Sequence, residues 1–339
     1  MDNLDTTYMQ RALTLARHGL GFTSPNPMVG AVIVHDNTII GEGYHRLCGQ
    51  AHAEVNAVAA VADRNLLRNS TMYVTLEPCS HYGKTPPCAN LIIENKIPRV
   101  VVGTTDPFSK VSGRGIAMLR DAGVDVTVGI MEHECRSLNA TFFTAHSRKS
   151  PFVTLKWAQS SDHYMDHRRD IDTDSPARFS TPTTTLLTHR LRSIHDAILT
   201  TAATVNADNP LLTVRHWHGR NPKPVIIDRH HTLHPHATIT SHSPIIYDSL
   251  DFSLTDILSD LYSRHGITSV LVEAGPRLLS AMISQGLWDL IRVETTSTPL
   301  SDQGTAPAPL PPAGMRHTCH HIDGNHIDYY INNPLVTII

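Results

Sequence analysis

One histidine, two cysteines and a glutamate form the pattern in this sequence with the clearest chemistry. His52-Ala53-Glu54 is followed by Cys79 and Cys88, with eight residues between the two cysteines. One imidazole and two thiolates can hold Zn²⁺ as a three-ligand site, which leaves the fourth position open for water. Zinc lowers the pKa of such a water to roughly 7, and Glu54 is placed to carry its proton to a departing amine. The pattern therefore predicts zinc-dependent hydrolytic release of an amine.

Two other interpretations of the cysteines remain open. A structural zinc site usually has a fourth Cys or His ligand, and Cys48 and His81 are close enough in sequence to supply one. Cys79 and Cys88 could also be unrelated buried residues. Cys135 lies where a helix is expected to start and does not suggest a second metal.

Composition favours a two-domain enzyme with a small substrate. The chain has 339 residues, of which 40% are hydrophobic and 17% charged, with a net charge of -3. This length and composition suit two globular domains, each with its own core. A nucleic-acid enzyme is expected to carry a clustered excess of Lys and Arg, and this sequence has none. We therefore expect no nucleic-acid partner.

Cysteine usage and hydropathy indicate a reduced, aqueous compartment. The five cysteines are an odd number at irregular spacing, which argues against a disulfide framework and for the cytoplasm. The sequence has neither the apolar segment of a signal peptide nor a run of membrane-spanning length, so we expect no membrane association. Most of the 23 histidines lie in polar stretches, where solvated loop residues are expected rather than ligands.

The first half alternates helix and strand patterns. Tyr8, Ala12, Leu13 and Ala16 follow the spacing of one helical face. Strands are predicted at 29–34, 38–44, 71–77, 99–104 and 124–130, and helices at 53–63, 88–96, 113–123 and up to about Ala145. Helices between apolar strands imply a sheet covered on both faces. A first domain is therefore predicted over 1–147, with the polar stretch 147–151 as linker.

The second half, 151–339, has a second α/β pattern. Strands are predicted at 152–159, 196–201, 224–229, 243–248 and 269–275, and helices at 183–194 and 276–286. The stretch 295–314 is rich in Pro, Ser and Thr and is expected to be a loop, and 326–339 is expected to supply edge strands. Glu273-Ala274-Gly275-Pro276 joins a strand to a helix, where free N–H groups suit a phosphate; a tight packing turn explains the motif equally well.

Longer motifs in the first half resemble a known enzyme family. SPNPMVGAVIV, GEGYH, HAEVNAV and TLEPCSHYGKTPPC are similar to the deaminase half of the bifunctional riboflavin-biosynthesis deaminase/reductase family, across residues 7–147. Zinc nucleobase deaminases share the H-x-E and P-C motifs, with two residues between the cysteines instead of eight. The resemblance implies a three-layer α/β/α fold of the cytidine-deaminase type.

The same resemblance assigns roles in this half. It implies that His52, Cys79 and Cys88 bind zinc and that Glu54 moves protons. Asn26 and His45 resemble residues that line the pyrimidine pocket, and Lys84 resembles a ligand of the ribose phosphate. Asn26 could equally be a turn residue between prolines, and Lys84 a solvated loop lysine.

Motifs in the second half resemble the reductase of the same family, which has a dihydrofolate-reductase-like α/β fold and uses NADPH. They are LKWAQS, LTHRLRSIHDAIL, ATVNADNPLLTVR, PVIIDR and VEAGP, across about 152–290. The resemblance implies cofactor contacts by Ala158, Thr204, Asp208, Gly275, Pro276, Arg277, Leu278, Leu279, Ser280 and Ala281. It implies a substrate pocket of Lys156, Arg192, Leu212, Arg215 and Glu273, in which the arginines suit a phosphate. The sequence departs from the family at His163, where Gly is common, and at Arg178, where Trp is common.

Together these features predict two consecutive reactions on a phosphorylated pyrimidine. The first is deamination of 2,5-diamino-6-(5-phosphoribosylamino)pyrimidin-4(3H)-one, and the second is NADPH-dependent reduction of its ribosyl group to ribityl. The resemblance also implies a homodimer. One alternative is a zinc deaminase of nucleosides or tRNA with a non-catalytic C-terminal domain. Another is a zinc-stabilised binding protein, whose function would survive Glu54→Gln.

Overall fold

The computed structural model describes residues 3–80, 86–107, 113–168, 170 and 175–337. The chain divides into two compact units, Met1–Ser147 and Arg148–Ile339. Across the described parts, every helix is too short or too polar to cross a membrane.

The first unit is built on a five-stranded sheet. Its strands are β1 (Gly30–His35), β2 (Thr38–Tyr44), β3 (Thr71–Leu76), β4 (Arg99–Thr104) and β5 (Asp125–Val128), in the order β2-β1-β3-β4-β5. β1 is antiparallel to β2 and β3, whereas β3, β4 and β5 are parallel. The helices are α1 (Asn3–Ala16), α2 (Ala53–Ala59), α3 (Cys88–Glu94), α4 (Arg114–Asp121), α5 (Glu132–Leu138) and α6 (Ala140–Arg148).

Both faces of this sheet are covered, which confirms the three-layer α/β/α prediction. Ala31 and Ile33 point to one face, where the core includes residues of α2, α3 and α4. Val32 and Val34 point to the other face and pack with residues of α1 and α5. This alternation follows from the two-residue period of a strand.

The predicted linker is wrong in its length. Helix α6 continues through Ser147 to Arg148, so only residues 149–151 separate it from the next strand. Arg148 pairs with the buried carboxylate of Asp289, which also accepts a hydrogen bond from the Val153 amide (2.9 Å). Polar residues such as Ser147 and Arg148 are compatible with an exposed helical turn, which is why composition alone ended the last helix of the first half too early.

The second unit is built on an eight-stranded sheet in the order β12-β13-β11-β6-β10-β7-β8-β9. Its strands are β6 (Phe152–Gln159), β7 (Ala197–Thr201), β8 (Lys223–Ile227), β9 (Ile245–Tyr247), β10 (Ser269–Val272), β11 (Leu290–Thr295), β12 (Arg316–Ile322) and β13 (Asn325–Ile331). Strands β6 to β11 are parallel, and β12 and β13 are antiparallel to their neighbours. The helices are α7 (Pro182–Ser193), α8 (Ala202–Asp208), α9 (Leu254–Ser263) and α10 (Pro276–Ser284).

The two faces of β6 have different environments. Val153, Leu155 and Trp157 belong to a core that also contains residues of α9 and α10. Lys156 and Ala158, which alternate with them, point to the opposite face and are half-buried. The face that carries Lys156 and Ala158 is therefore separate from this core.

The sequence prediction for the C-terminal region needs correction. The strand within 326–339 is not an edge strand, because β13 lies between β11 and β12. The edge is β12, which was missed because its sequence, RHTCHHI, is polar and almost wholly exposed. Helices α8 and α9 and strand β11 were also missed. The loop prediction for 295–314 is confirmed, since beyond Thr295 it contains only a 3₁₀ turn (Ser301–Gln303) and isolated bridges.

Candidate active sites

The predicted zinc ligands lie together beyond the carboxyl end of β3. Cys79 follows that strand, His52 immediately precedes α2, and Cys88 is the first residue of α3. His52 Nδ1 is 3.7 Å from Cys79 Sγ and 3.3 Å from Cys88 Sγ. In a tetrahedral zinc site, bonds of about 2.3 Å to sulfur and 2.1 Å to nitrogen separate those ligand atoms by about 3.5 Å. The donor set and its spacing therefore fit Zn²⁺.

A fourth protein ligand does not join this group within the part of the chain that the structure describes. Cys48 is exposed and lies outside the cluster of three donors. His81 falls outside the described residues, as does Lys84, the predicted phosphate ligand. Three ligands with an open position are typical of a catalytic rather than a structural site.

The two thiols shift each other's pKa in opposite directions. The pKa of Cys79 is lowered by a hydrogen bond from the Cys88 thiol, together with contacts to His52 and the Cys88 amide, against the effect of burial. The same thiol contact and burial raise the pKa of Cys88. A cation held by both sulfurs binds them as thiolates, so metal binding releases the protons that the thiols carry.

Glu54 lies next to this cluster in the first turn of α2. Its side chain is only 3% exposed. Burial, reinforced by the negative charge of Cys79, raises its pKa to about 7. A carboxyl group with a pKa near neutrality can both accept and return a proton, which is the property expected of an acid–base catalyst.

Asn26 and His45 lie next to each other, beside His52. Asn26 Nδ2 is 3.3 Å from His45 Nε2, and His45 Nδ1 is 3.1 Å from the Ala51 carbonyl oxygen. Burial lowers the pKa of His45, so the neutral ring donates to Ala51 and accepts from the Asn26 amide. The rings of His45 and His52 meet edge to face, with centroids 5.5 Å apart.

Two asparagines that the sequence analysis missed hold these residues in position. The Asn139 side chain accepts from the Met28 amide and donates to the Met28 carbonyl, both at 2.8 Å, and so fixes the turn that carries Asn26. Asn56 Nδ2 donates to the Tyr44 carbonyl (2.9 Å), which ties α2 to the segment that carries His45. Neither has a local sequence signature, because each acts on backbone groups distant in the chain.

Glu77 was also missed, although it lies in the TLEPC motif. Its buried carboxylate accepts hydrogen bonds from the backbone amides of Asp106 (3.2 Å), Gly113 (2.9 Å), Gly115 (3.0 Å) and Ile116 (3.4 Å). A Cβ at Gly115 would lie 2.0 Å from the Pro78 carbonyl oxygen, so only glycine allows this close approach. These contacts fix the backbone just before Cys79.

We expect Glu77→Gln to lower the stability of the first unit by about 1–3 kcal/mol, because an amide NH₂ would face backbone donors that need an acceptor. The Glu77→Gln protein should also lose its zinc at a lower chelator concentration than the wild type. Thermal unfolding and zinc content measure both effects. The exposed Glu94, in α3, provides the control Glu94→Gln. Equal behaviour of the two variants would show that Glu77 does not position the metal ligands.

An ion pair dominates the second site. The Arg192 guanidinium donates from Nε and Nη2 to the two carboxylate oxygens of Glu273, each at 2.8 Å, and from Nη1 to the Thr213 carbonyl. Burial raises the pKa of Glu273, but Arg192, with Lys156 and Arg292, outweighs burial and holds it at about 2. Burial lowers the pKa of Lys156. The structure thus brings together Lys156, Arg192 and Glu273, as expected.

Arg292 is a further cation at this site that the sequence analysis did not single out. On β11 it pairs directly with Lys156 of β6, so the two side chains share a face. It is 2% exposed, and Nη1 lies 3.7 Å from a Glu294 oxygen. Among the described residues, neither Nη1 nor Nη2 finds a hydrogen-bond partner. The signal available in the sequence was a single arginine within the apolar strand LIRVET.

Gly275 and Thr204, two of the expected cofactor residues, meet at the start of α10. The Gly275 amide donates to Thr204 Oγ1 at 3.2 Å, and Thr204 lies in the first turn of α8. A Cβ built on Gly275 would meet only Thr204 Oγ1, at 3.9 Å, so the space in front of the helix start is open. Asp208 lies one turn after Thr204, where residues share a helical face. Ala158 lies on the same side of β6 as Lys156.

The stretch 276–281 presents a mixed surface. Leu278 is 9% and Leu279 0% exposed, and both side chains belong to the hydrophobic core. Contacts of these two residues with a cofactor would therefore come from their backbone. Arg277 and Ser280 are exposed, whereas Pro276 and Ala281 are half-buried.

The remaining predicted residues lie around Thr213. Leu212 is 6% exposed and has φ of 51°, a left-handed conformation that is rare for a branched residue. Arg215 is exposed, and its Nη1 donates to Thr213 Oγ1 at 2.9 Å. Neither has a direct contact with Glu273 among the hydrogen bonds described. His163 also has a positive φ, 65°, which is why glycine suits that position.

Both halves match known protein families. Residues 2–104 match the cytidine and deoxycytidylate deaminase zinc-binding region, and residues 151–306 match the RibD C-terminal domain. Riboflavin biosynthesis protein RibD of Aquifex aeolicus is 37% identical over 313 residues, which cover 86% of each chain. The chain belongs to the RibD family. The RibD protein of Escherichia coli is 35% identical over 320 residues, covering 84% of this chain and 85% of its own.

Solved RibD structures have the same fold. Acinetobacter baumannii RibD superposes with a TM-score of 0.86 at 32% identity, covering 97% of this chain and 98% of that one. A Thermotoga maritima diaminohydroxyphosphoribosylaminopyrimidine deaminase/5-amino-6-(5-phosphoribosylamino)uracil reductase gives 0.85 at 35% identity with the same coverage.

As a RibD protein, the chain is a bifunctional deaminase and reductase of riboflavin biosynthesis that uses zinc and NADPH and acts on a small pyrimidine substrate. This favours the two-reaction expectation over a nucleoside or tRNA deaminase with a non-catalytic C-terminal domain.

Proposed function

We propose that the first unit deaminates 2,5-diamino-6-(5-phosphoribosylamino)pyrimidin-4(3H)-one through a zinc site held by His52, Cys79 and Cys88. The observation that carries the proposal is the convergence of these three donor atoms within 4.8 Å beside the buried Glu54 carboxyl. The reaction is the one named for the Thermotoga maritima relative. When bound, zinc supplies a hydroxide nucleophile at neutral pH.

Glu54 moves the protons of this reaction. With a pKa of about 7, its carboxylate takes a proton from the attacking water and returns it to the departing amino group, which leaves as ammonia. Because the side chain is buried, the proton is not exchanged with bulk water between the two steps. Asn26 and His45 hold the edge of the heterocycle, since an amide offers both a donor and an acceptor.

The second unit binds the deaminated product through its cationic cluster. Lys156, Arg192 and Arg292 carry three positive charges, against the two carboxylates of Glu273 and Glu294. The remaining positive charge suits a phosphate group, and the unpaired N–H groups of Arg292 can donate to it. Leu212 and Arg215 complete the substrate pocket on the Thr213 side.

The cofactor contacts are proposed for the residues around the start of α10. Gly275 to Ala281, with Thr204 and Asp208, bind the cofactor, and Ala158 allows its ring to pack against β6. NADPH supplies a hydride to the ribosyl carbon when bound. The protein residues act by placing cofactor and substrate next to each other, and none has to form a covalent bond.

The remaining expectations concern assembly and location. We propose that the chain forms a homodimer, works in the cytoplasm with its five cysteines reduced, and has no nucleic-acid partner. The net charge of -3 supports the last point.

Mass measurement of the products tests both reactions. Incubation with the diaminopyrimidine phosphate alone should give a product heavier by about one mass unit, because O replaces NH. Addition of NADPH should add about two more mass units, with oxidation of the cofactor. A first shift without the second would contradict the reductase assignment, and no shift at all would contradict the substrate.

A further inference from the structure

A second group of metal-binding side chains lies at the opposite end of the chain. Cys319 and His321 are on β12, and His326 is on β13, the two strands of the C-terminal hairpin. One donor atom from each lies within 4.8 Å of the other two. Within the described residues, only this group and the one at His52 bring three such donors together.

The hairpin fixes these side chains on one face. Residues alternate along a strand, so Cys319 and His321 point to the same side of β12. The register pairs His321 with His326 and Cys319 with Asp328, which places His326 on that side too. The strands are joined by Asp323-Gly324, both at positive φ (51° and 83°), as in the two-residue turn that defines a hairpin register.

The distances suit a tetrahedral cation. Cys319 Sγ is 3.9 Å from His326 Nδ1, close to the roughly 3.5 Å expected between sulfur and nitrogen ligands of zinc. The His321 and His326 rings meet with centroids 4.2 Å apart. Asp328, opposite Cys319 and 2.8 Å from His317 Nε2, adds negative charge next to the group.

The position of this face is fixed by the core. Strand β13 pairs with β11 from His326 to Ile331. Asn325, 3% exposed, donates from Nδ2 to a Glu294 oxygen and to the Phe179 carbonyl, both at 2.8 Å. His326 is therefore carried by an anchored strand. The hairpin lies beyond residues 151–306, the stretch that matches the RibD C-terminal domain.

We propose that Cys319, His321 and His326 bind a second Zn²⁺ ion, separate from the catalytic one, with water in the fourth position. One thiolate and two imidazoles are a donor set that zinc prefers. The ion links the edge strand β12 to β13 and stabilises the pairing of these two strands at the end of the sheet. Because these residues are exposed, the ion exchanges with solution more readily than the one at His52.

Metal content of the full-length enzyme tests the proposal. After equilibration with excess Zn²⁺ and removal of free metal, the wild type should contain about two zinc ions per chain. The double variant Cys319→Ser, His326→Asn should contain about one and keep its deaminase activity. His320→Asn is the matched control, since His320 is exposed on the same strand but pairs with Ile327 on the other face. It should leave the content unchanged.

Cobalt substitution identifies the ligands. Co²⁺ bound to a thiolate has a sulfur-to-metal charge-transfer band, and titration of the double variant Cys79→Ser, Cys88→Ser should still produce the part of this band due to Cys319. Hydrogen exchange of residues 316–331 should slow when zinc is added to the wild type and not to the double variant. A wild type that holds about one zinc ion, or a second ion that persists in the double variant, would overturn the proposal.

Discussion

Glu54→Gln is expected to lower the rate of ammonia release by about 10²–10⁴-fold, the range for loss of a positioned acid–base group. Glutamine has nearly the same size but cannot accept the proton that the carboxylate takes. The site around it should remain intact, because His52, Cys79 and Cys88 provide the ligand atoms. Measured on the same preparation, ammonia release should therefore fall while zinc content stays unchanged.

The exposed Glu134, in α5, gives a matched control, since Glu134→Gln should leave the rate unchanged. Reductase activity on the deaminated intermediate should be unaffected in both variants. Full deaminase activity of the Glu54→Gln protein would show that another group moves the proton.

Arg292→Met is expected to weaken substrate binding by the reductase, with a smaller loss of stability than Arg192→Met. Hydrogen bonds to charged groups contribute about 1.5–3 kcal/mol, so KM for the phosphorylated substrate should rise about 10- to 150-fold. Neither Nη1 nor Nη2 of the buried guanidinium has a hydrogen-bond partner among the described residues. Removal of the side chain therefore costs the long ion pair with Glu294 (3.7 Å) but no hydrogen bond from these two nitrogens. Glu294 keeps the hydrogen bonds that it accepts from Ser180 and Asn325.

Steady-state NADPH oxidation and thermal unfolding separate binding from stability. We expect the unfolding midpoint to fall less for Arg292→Met than for Arg192→Met. Arg192→Met is the contrasting variant, because it leaves the buried Glu273 carboxylate without its bidentate partner and should cost about 3–5 kcal/mol. A fall in stability for Arg292→Met with an unchanged KM would indicate a purely structural role.

The first site was largely predictable because its chemistry is encoded locally. His52 and Glu54 are two residues apart, and Cys88 begins the predicted helix that follows the PP dipeptide. Apolar alternation and periodicity also predicted every strand of the first unit. Such short-range patterns survive folding because they set both the element and the residue at its end.

Residues that act across the fold could not be found in this way. Asn139 and Met28 are 111 residues apart, and no spacing rule connects them. Arg292 meets Lys156 only because β11 pairs with β6 in a particular register. Strand β12 was missed for a different reason: an exposed edge strand buries neither face, so it lacks the apolar period by which strands are recognised.

The clamp of Asn139 on Met28 has a consequence for biosynthesis. The turn that carries Asn26 leaves the ribosome long before Asn139, whose side-chain amide binds this turn. At about 5–20 residues per second, the 111 residues between them take on the order of ten seconds to translate. A nascent chain ending near residue 104, where the match to the deaminase family ends, has all three zinc-binding side chains but not this clamp. Metal capture can therefore precede completion of the substrate pocket during synthesis.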